Sequence, residues 1–394
     1  MYIPRLLFPV LKKALTHFPA VLVTGPRQSG KTTFLRHELG REAGYVSFDD
    51  PLERDFALTD PNGFLDRFKN QPVILDEIQY VPDLFPFLKM RIDRDRKKNG
   101  RWILTGSQQF GLMKNISESL AGRIALLELL PFSILETESR ASAVLEKCIW
   151  DGGYPEPSLY PEKRDLWVRS YIQTYIERDV RQLQNIKDLR VFETFIGLCA
   201  AYHGQVFNTA ILSRKCGVSL PTIKSWGGVL EASYLCRLLP PYFENFGKRL
   251  VKTPKLYFLD PALVVTLTRQ PNGEAALSGA MGGALFEGLI VSEALKMFAA
   301  AGKNTDIFFW RSNGLEVDLI VQARGRLLPV EIKLTATPNV KHIESLNKFR
   351  ELAGKKSAGT GILVCRVEKP VPMPHDTLAL PWREFPAWLK NQIS

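Results

Sequence analysis

The sequence predicts an α/β protein of several domains, and three observations predict it. A glycine-rich loop, Gly25 to Thr32, stands between a strand pattern and a helix pattern. A second apolar run, Val73 to Leu75, ends in the paired carboxylates Asp76 and Glu77. Far downstream, Asp318 and Glu331-Ile332-Lys333 fall on adjacent strand patterns that follow a helix. At 394 residues the chain has room for two or three domains, each able to bury a core.

Residues 20–24 read as a short buried strand and residues 33–39 as a helix. The loop between them fits G-x-x-x-x-G-K-[ST], the phosphate-binding loop of nucleoside triphosphatases. Strand, glycine loop and helix together turn backbone N–H groups and a helix N-terminus toward an anion. Gly25 and Gly30 permit dihedrals and a close approach that a side chain would block. The expected nucleotide contacts are Gly25, Pro26, Arg27, Gln28, Ser29, Gly30, Lys31, Thr32 and Thr33. Lys31 is expected on the β- and γ-phosphates of ATP, and the Thr32 hydroxyl on Mg²⁺.

Further strands are expected at 45–48, 73–76, 101–105 and 124–129. A buried parallel strand delivers its last side chains to the carboxyl edge of the sheet, where ligands bind. Asp76 is therefore expected to hold Mg²⁺ through water, and Glu77 to orient and polarise the attacking water. A catalytic glutamate of the Glu77 type goes with sheets in which an additional strand separates the loop strand from the acid strand. Ser107 and Gln108 end the next strand, within reach of the γ-phosphate or the water. Residues 91–101 are dense in charge; their default reading is a solvated helix end, with a nucleic-acid contact as the alternative.

Composition narrows the class. Apolar residues make up 45% and charged residues 24%, ordinary for a soluble globular protein. No apolar run approaches a membrane span, so no membrane partner is expected. The apolar N-terminus is interrupted by Pro4, Arg5 and Pro9 and lacks a small-residue cleavage site, so no signal peptide is expected. The five cysteines form no C-x-x-C pair, which argues for a reducing cytoplasm and against a zinc site. A net charge of +11 fits a nucleic-acid partner.

From Pro131 the pattern changes. Gly152 and Gly153 mark a turn-rich junction, followed by a helical stretch from Arg164 to about Gln184. Helix patterns at 191–202, 209–216 and 220–231, with a tight turn at Gly217, give a helix-turn-helix. Ser219 should cap the third helix; Thr222, Lys224 and Ser225 should face out, and Ile223, Trp226 and Leu230 in. Strands at 234–239 and 256–259, joined by a connection carrying Lys248, Arg249 and Lys252, complete a winged helix. Either the third helix enters a DNA groove with the wing on phosphates, or the unit is a lid or protein-interaction module.

The last part reads as a helix at 286–296, a meander of strands at 307–310, 315–321 and 327–333, a helix at 340–352 and a closing strand at 361–365. Glu331 and Lys333 are two apart and share a face; Asp318 lies on the neighbouring strand, and Glu287 on the preceding helix. Two carboxylates suit Mg²⁺, and Lys333 would steady a hydroxide or transition-state charge. This is the arrangement of PD-(D/E)xK nucleases, with Asp318 and Glu331 as metal ligands. A relict fold used for binding is the competing reading.

Residues 25–33, 74–79, 104–107 and 120–123 resemble the AAA+-like ATPases widespread in bacteria and archaea that carry a C-terminal domain of unknown function. Residues 252–260, Trp310-Arg311, Glu316-Val317-Asp318 and Glu331-Ile332-Lys333 resemble that C-terminal region, so the resemblance spans nearly the whole chain. It implies that Arg123 or Arg178 reads the γ-phosphate, within the chain or from a neighbouring subunit of a homo-oligomer, with a structural ion pair as the competing reading for each. The expected domains are a P-loop AAA+-like ATPase domain at 1–140, a helical linker and winged-helix region at 141–280, and a restriction-endonuclease-like α/β domain at 281–394. The expected function is an Mg²⁺-dependent, cytoplasmic ATPase acting as a switch or remodeller on nucleic acid, DNA ahead of RNA. The alternatives are a non-catalytic ATP-gated module and an ATP-gated nuclease.

Overall fold

The computed structural model describes residues 2–107, 116, 118–137, 144–175, 188–243, 253–312, 314–354 and 358–393. Gln108, Arg178, Lys248, Arg249 and Lys252 lie outside them. The chain divides into two compact units, Met1–Phe132 with Ala299–Lys303, and Ser133–Phe298 with Asn304–Ser394.

The first unit is built on five parallel strands: β1 (Ala20–Thr24), β2 (Gly44–Ser47), β3 (Val73–Asp76), β4 (Trp102–Thr105) and β5 (Ile124–Glu128). Their order is β2-β3-β4-β1-β5, so β4 separates the loop strand β1 from the acid strand β3. Side chains alternate between the two faces as strand geometry requires. Val21, Val23, Ile74 and Ile103 pack with Leu11 of helix α1 (Phe8–His17) and Phe34 of α2 (Lys31–Leu39). Ala20, Leu22, Leu75 and Leu104 pack on the other face with Ala57 of α3 (Pro51–Thr59), Phe64 of α4 (Pro61–Asp66) and Leu88 of α5 (Phe85–Arg94). Both faces of the sheet are covered, which is why its strands are continuous apolar runs.

In the second unit, helices at Leu189–Ala201, Thr209–Cys216 and Leu220–Ala232 precede or flank the antiparallel strands β6 (Gln205–Val206), β7 (Cys236–Leu239) and β8 (Lys255–Phe258), in the order β6-β8-β7. Ser219 accepts a hydrogen bond from the Thr222 N–H, and Ile223, Trp226 and Leu230 are buried while Lys224 is exposed. The Gly152–Gly153 turn is tied to Asp260, whose carboxylate accepts the Gly153 N–H at 2.7 Å.

Six strands follow: β9 (Ile307–Ser312), β10 (Leu315–Ala323), β11 (Arg326–Ile332), β12 (Gly361–Cys365), β13 (Val371–Met373) and β14 (Thr377–Pro381), ordered β13-β14-β12-β11-β10-β9. Strand 361–365 is therefore central rather than closing, with β14 parallel to it and β13 antiparallel at the edge. Leu346 and Phe349 of the helix Glu344–Ala353 pack against Leu363 and Ile320 of this sheet. The middle and C-terminal segments, expected as separate domains, fall in one unit. Pro241, after β7, pairs with Phe309 of β9, and Lys255 and Tyr257 of β8 bond to Glu287.

Candidate functional site

The loop after β1 takes its shape from backbone constraints. Gly25 has φ 142°, and a Cβ there would lie 2.2 Å from the Leu129 carbonyl oxygen. Gly30, at φ 87°, is the N-cap of α2. From beneath, the buried Arg5 guanidinium donates to the Ser29 carbonyl at 3.0 Å and the Leu130 carbonyl at 2.6 Å. Nothing local in the sequence signals that role.

Lys31 is buried, its Nζ donating to the Gly25 and Pro26 carbonyls at 3.1 and 2.8 Å. Burial pushes its pKa down to about 8, against the opposing pull of Glu77 and Asp76. Ser29 Oγ is buried with no hydrogen-bond partner. A cation short of an anion and an unpaired hydroxyl in one glycine loop fit a polyphosphate.

Asp76 ends β3 and is buried. It accepts hydrogen bonds from Thr32 at 2.9 Å, from Tyr45 at 2.8 Å and from Thr105. Burial, then the bond to Asp76, pushes the Tyr45 phenol up to about 12, so it stays a donor. A hydroxyl and a carboxylate at this spacing form the hard oxygen set that suits Mg²⁺. Glu77 follows with φ 54°, ψ 47°, a left-handed conformation. Its carboxylate accepts from Ser107 Oγ at 3.2 Å and from Gln79 Nε2. The structure thus brings Lys31, Thr32, Asp76, Glu77 and Ser107 to one sheet edge, and adds Tyr45 and Thr105, which the sequence reading omitted.

Arg123 is not brought there. It precedes β5 at the end that pairs with Ala20, so the length of the strand separates it from the loop beyond Thr24. Its guanidinium is held by Asp93 at 2.6 and 3.0 Å. The expectation that Arg123 meets the γ-phosphate within its own chain is corrected by this placement.

In the second unit Asp318, Glu331 and Lys333 do converge. Lys333 Nζ lies 2.5 Å from Glu331 and 3.3 Å from Asp318, and Asp318 also accepts the Ile332 N–H at 2.9 Å. Beside them Glu287 accepts from Lys255 at 3.0 Å and from Tyr257, and Lys255 reaches Glu316 at 2.5 Å. Burial, then the Asp318 charge, pushes Glu287 up to about 7 and Glu331 up to about 8. Burial alone would lower Lys333, but Asp318 and Glu331 outweigh it and hold the ammonium above its usual range. Among the described residues no three His, Cys, Asp or Glu side chains are grouped to hold a metal ion. The position between Asp318 and Glu331 is taken by the Lys333 ammonium, so the residues as arranged do not fit Mg²⁺. Among the described residues no helix is long and apolar enough to cross a membrane.

Residues 17–138 match the AAA domain family. Residues 142–274 and 282–385 match two families described as domains of unknown function, DUF8612 and DUF4143. The uncharacterized protein Rv2008c of Mycobacterium tuberculosis is 34% identical over 335 residues, covering 84% of this chain and 74% of its own. Mb2031c of Mycobacterium bovis gives the same values. MJ1544 of Methanocaldococcus jannaschii is 24% identical over 367 residues, covering 83% of this chain and 78% of its own. Among solved structures, a Walker-type ATPase of Pyrococcus abyssi aligns with a TM-score of 0.45 at 16% identity, over 65% of this chain and 93% of that one.

Proposed function

This chain belongs to the same family as the two mycobacterial proteins, and from that premise we propose that it is an Mg²⁺-dependent ATPase working as a nucleotide-driven switch on nucleic acid. The observation that carries the proposal is the pairing of Lys31, Thr32 and Asp76 with a separately held Glu77 at one sheet edge. Binding alone needs the loop and the lysine. A second carboxylate held by Ser107, apart from Asp76, suits a general base.

In this reading Lys31 leaves the Gly25 and Pro26 carbonyls for the β- and γ-phosphates, regaining the anion that burial withholds. Thr32 and Asp76 would hold the Mg²⁺, with Tyr45 and Thr105 donating to the Asp76 carboxylate and fixing its orientation. A bound Mg²⁺ would supply positive charge to offset that of the phosphates. Glu77 orients the attacking water and takes its proton, with Ser107 and Gln79 steadying the carboxylate. The middle segment, with its capped third helix and three-stranded sheet, is read as a winged helix. The nucleic-acid reading rests on that shape and on the charge of +11.

ATP turnover with Mg²⁺, with and without single- and double-stranded DNA and RNA, tests the whole reading; stimulation by nucleic acid is expected. Glu77→Gln should bind ATP as wild type yet turn over at least ~100-fold more slowly. Turnover near the wild-type rate would move the base to another residue.

A further inference from the structure

We propose that a basic cleft on the first unit, at the sheet edge away from the phosphate loop, docks the phosphate backbone of a nucleic acid. The inference rests on the nucleic-acid reading above and adds the surface.

Charge is the first observation. Between Lys89 and Arg101 stand seven cations and two carboxylates, a net +5 within thirteen residues of a chain whose total is +11. The fold then gives the run a shape. Helix α5 stops at Arg94, and the chain turns back at Gly100, with φ 67°, to enter β4 at Trp102. The Gly100 and Arg101 N–H groups are fixed to the Phe18 and Pro19 carbonyls. Arg91, Arg94, Lys98 and Arg101 line a recess of about 360 Å³ with Lys69, which lies beyond α4.

The acids nearby are already answered. Arg91 holds Asp66 at 2.5 Å, Arg123 holds Asp93 at 2.6 Å and Lys98 holds Asp95 at 3.2 Å. The bonds from Arg91 and Arg123 keep the Asp66 and Asp93 carboxyls below the usual range. Among the described residues Lys69, Arg94, Arg96 and Lys97 make no ion pair, and all four are exposed. A field left positive after every local carboxylate is paired attracts a polyanion.

The geometry also selects among polyanions. The cations are strung along three segments and converge on no single point, unlike the glycine loop, so a row of phosphates fits better than one phosphate group. Arginine, with its planar fork, suits phosphodiester oxygens. A bilayer is flat and meets protruding cations, whereas Arg91 and Arg101 line a recess.

The test uses the full chain, without ATP, and a fluorescein-labelled DNA duplex, with single-stranded DNA, RNA and phosphatidylserine vesicles as parallel probes. The double variant Lys69→Glu, Arg94→Glu should bind nucleic acid at least about tenfold more weakly at ~100 mM salt, with a log–log salt slope flatter by roughly two. ATP affinity should stay at the wild-type value, which also reports folding. If charge reversal disturbs the fold, Lys69→Ala, Arg94→Gln should give the same flattening with a smaller loss. Wild-type DNA affinity and slope in a folded variant would overturn the surface and leave the nucleic-acid reading standing. A wild-type protein that binds vesicles but no nucleic acid would overturn both.

Discussion

Two lysines, the buried Lys31 of the first unit and the half-buried Lys333 of the second, meet opposite surroundings. Lys31 sits in a loop of carbonyls, and burial lowers its pKa to about 8. Lys333 lies between Asp318 and Glu331, whose charges outweigh burial and raise it. The first site keeps a cation that the fold has not neutralised. The second has neutralised itself. A site kept short of charge is poised for an incoming anion; a site that closes its own ion pairs must break them before it can bind a metal. The contrast puts chemistry with the phosphate loop and cohesion with the C-terminal cluster.

The strongest way to break this contrast is Lys31→Met. ATP affinity should fall at least about 100-fold in calorimetry, from loss of a charge-assisted contact. The ATP-free protein should melt no lower than wild type. The lowered pKa means that the charged lysine costs stability below pH 8, by up to about 3 kcal/mol, and that cost fades as pH rises toward 10.5. A clear drop in melting temperature would show that Lys31 is structurally required.

Lys333→Ala should do the reverse. ATP affinity stays, while stability at pH 8 falls by about 2–3 kcal/mol, toward the low end for a broken ion pair because the Lys333 side chain is 39% exposed. Denaturant melts should show a smaller loss at pH 5, where Glu331, already raised to about 8, carries its proton and leaves less unpaired charge. Equal losses at both pH values would mean that packing, not charge, holds the cluster.

The smallest effect is in proton exchange. Above pH 8 the ATP-free protein has shed the Lys31 proton, and binding ATP must recover it. Affinity should fall by up to roughly tenfold per pH unit there. Calorimetry in buffers of different ionisation enthalpy should register proton uptake near pH 8.5 and almost none at pH 6.5. Pointing the same way at both values would detach the lowered lysine from the nucleotide.

Local spacing made the phosphate loop legible: loop, strand and helix are contiguous, and the shape follows from Gly25 and Gly30. The Asp76–Glu77 pair was legible because strand direction dictates where a strand's last side chains go. What supports those residues was not. Arg5 meets partners 24 and 125 positions away, and Tyr45 and Thr105 reach Asp76 across 31 and 29. Such pairings exist only once the sheet order is fixed. In the C-terminal sheet, the shared face of Glu331 and Lys333 follows from two-residue periodicity. The contributions of Lys255 and Tyr257 depend on how β8 packs against a helix distant in sequence. The strands β13, at the edge, and β14, beside it, escaped because Pro372 and Pro381 weaken the pattern in short segments.

On the role proposed for Glu77, its left-handed backbone sets stability against turnover at a single position. A side chain with a Cβ pays about 1 kcal/mol for φ 54°, which glycine would not. Glu77→Gly should therefore yield a sturdier protein that takes up nucleotide and does not release it as product. A thermostability screen of random variants would enrich inactive molecules at position 77, and such a screen needs a turnover readout beside the melting curve.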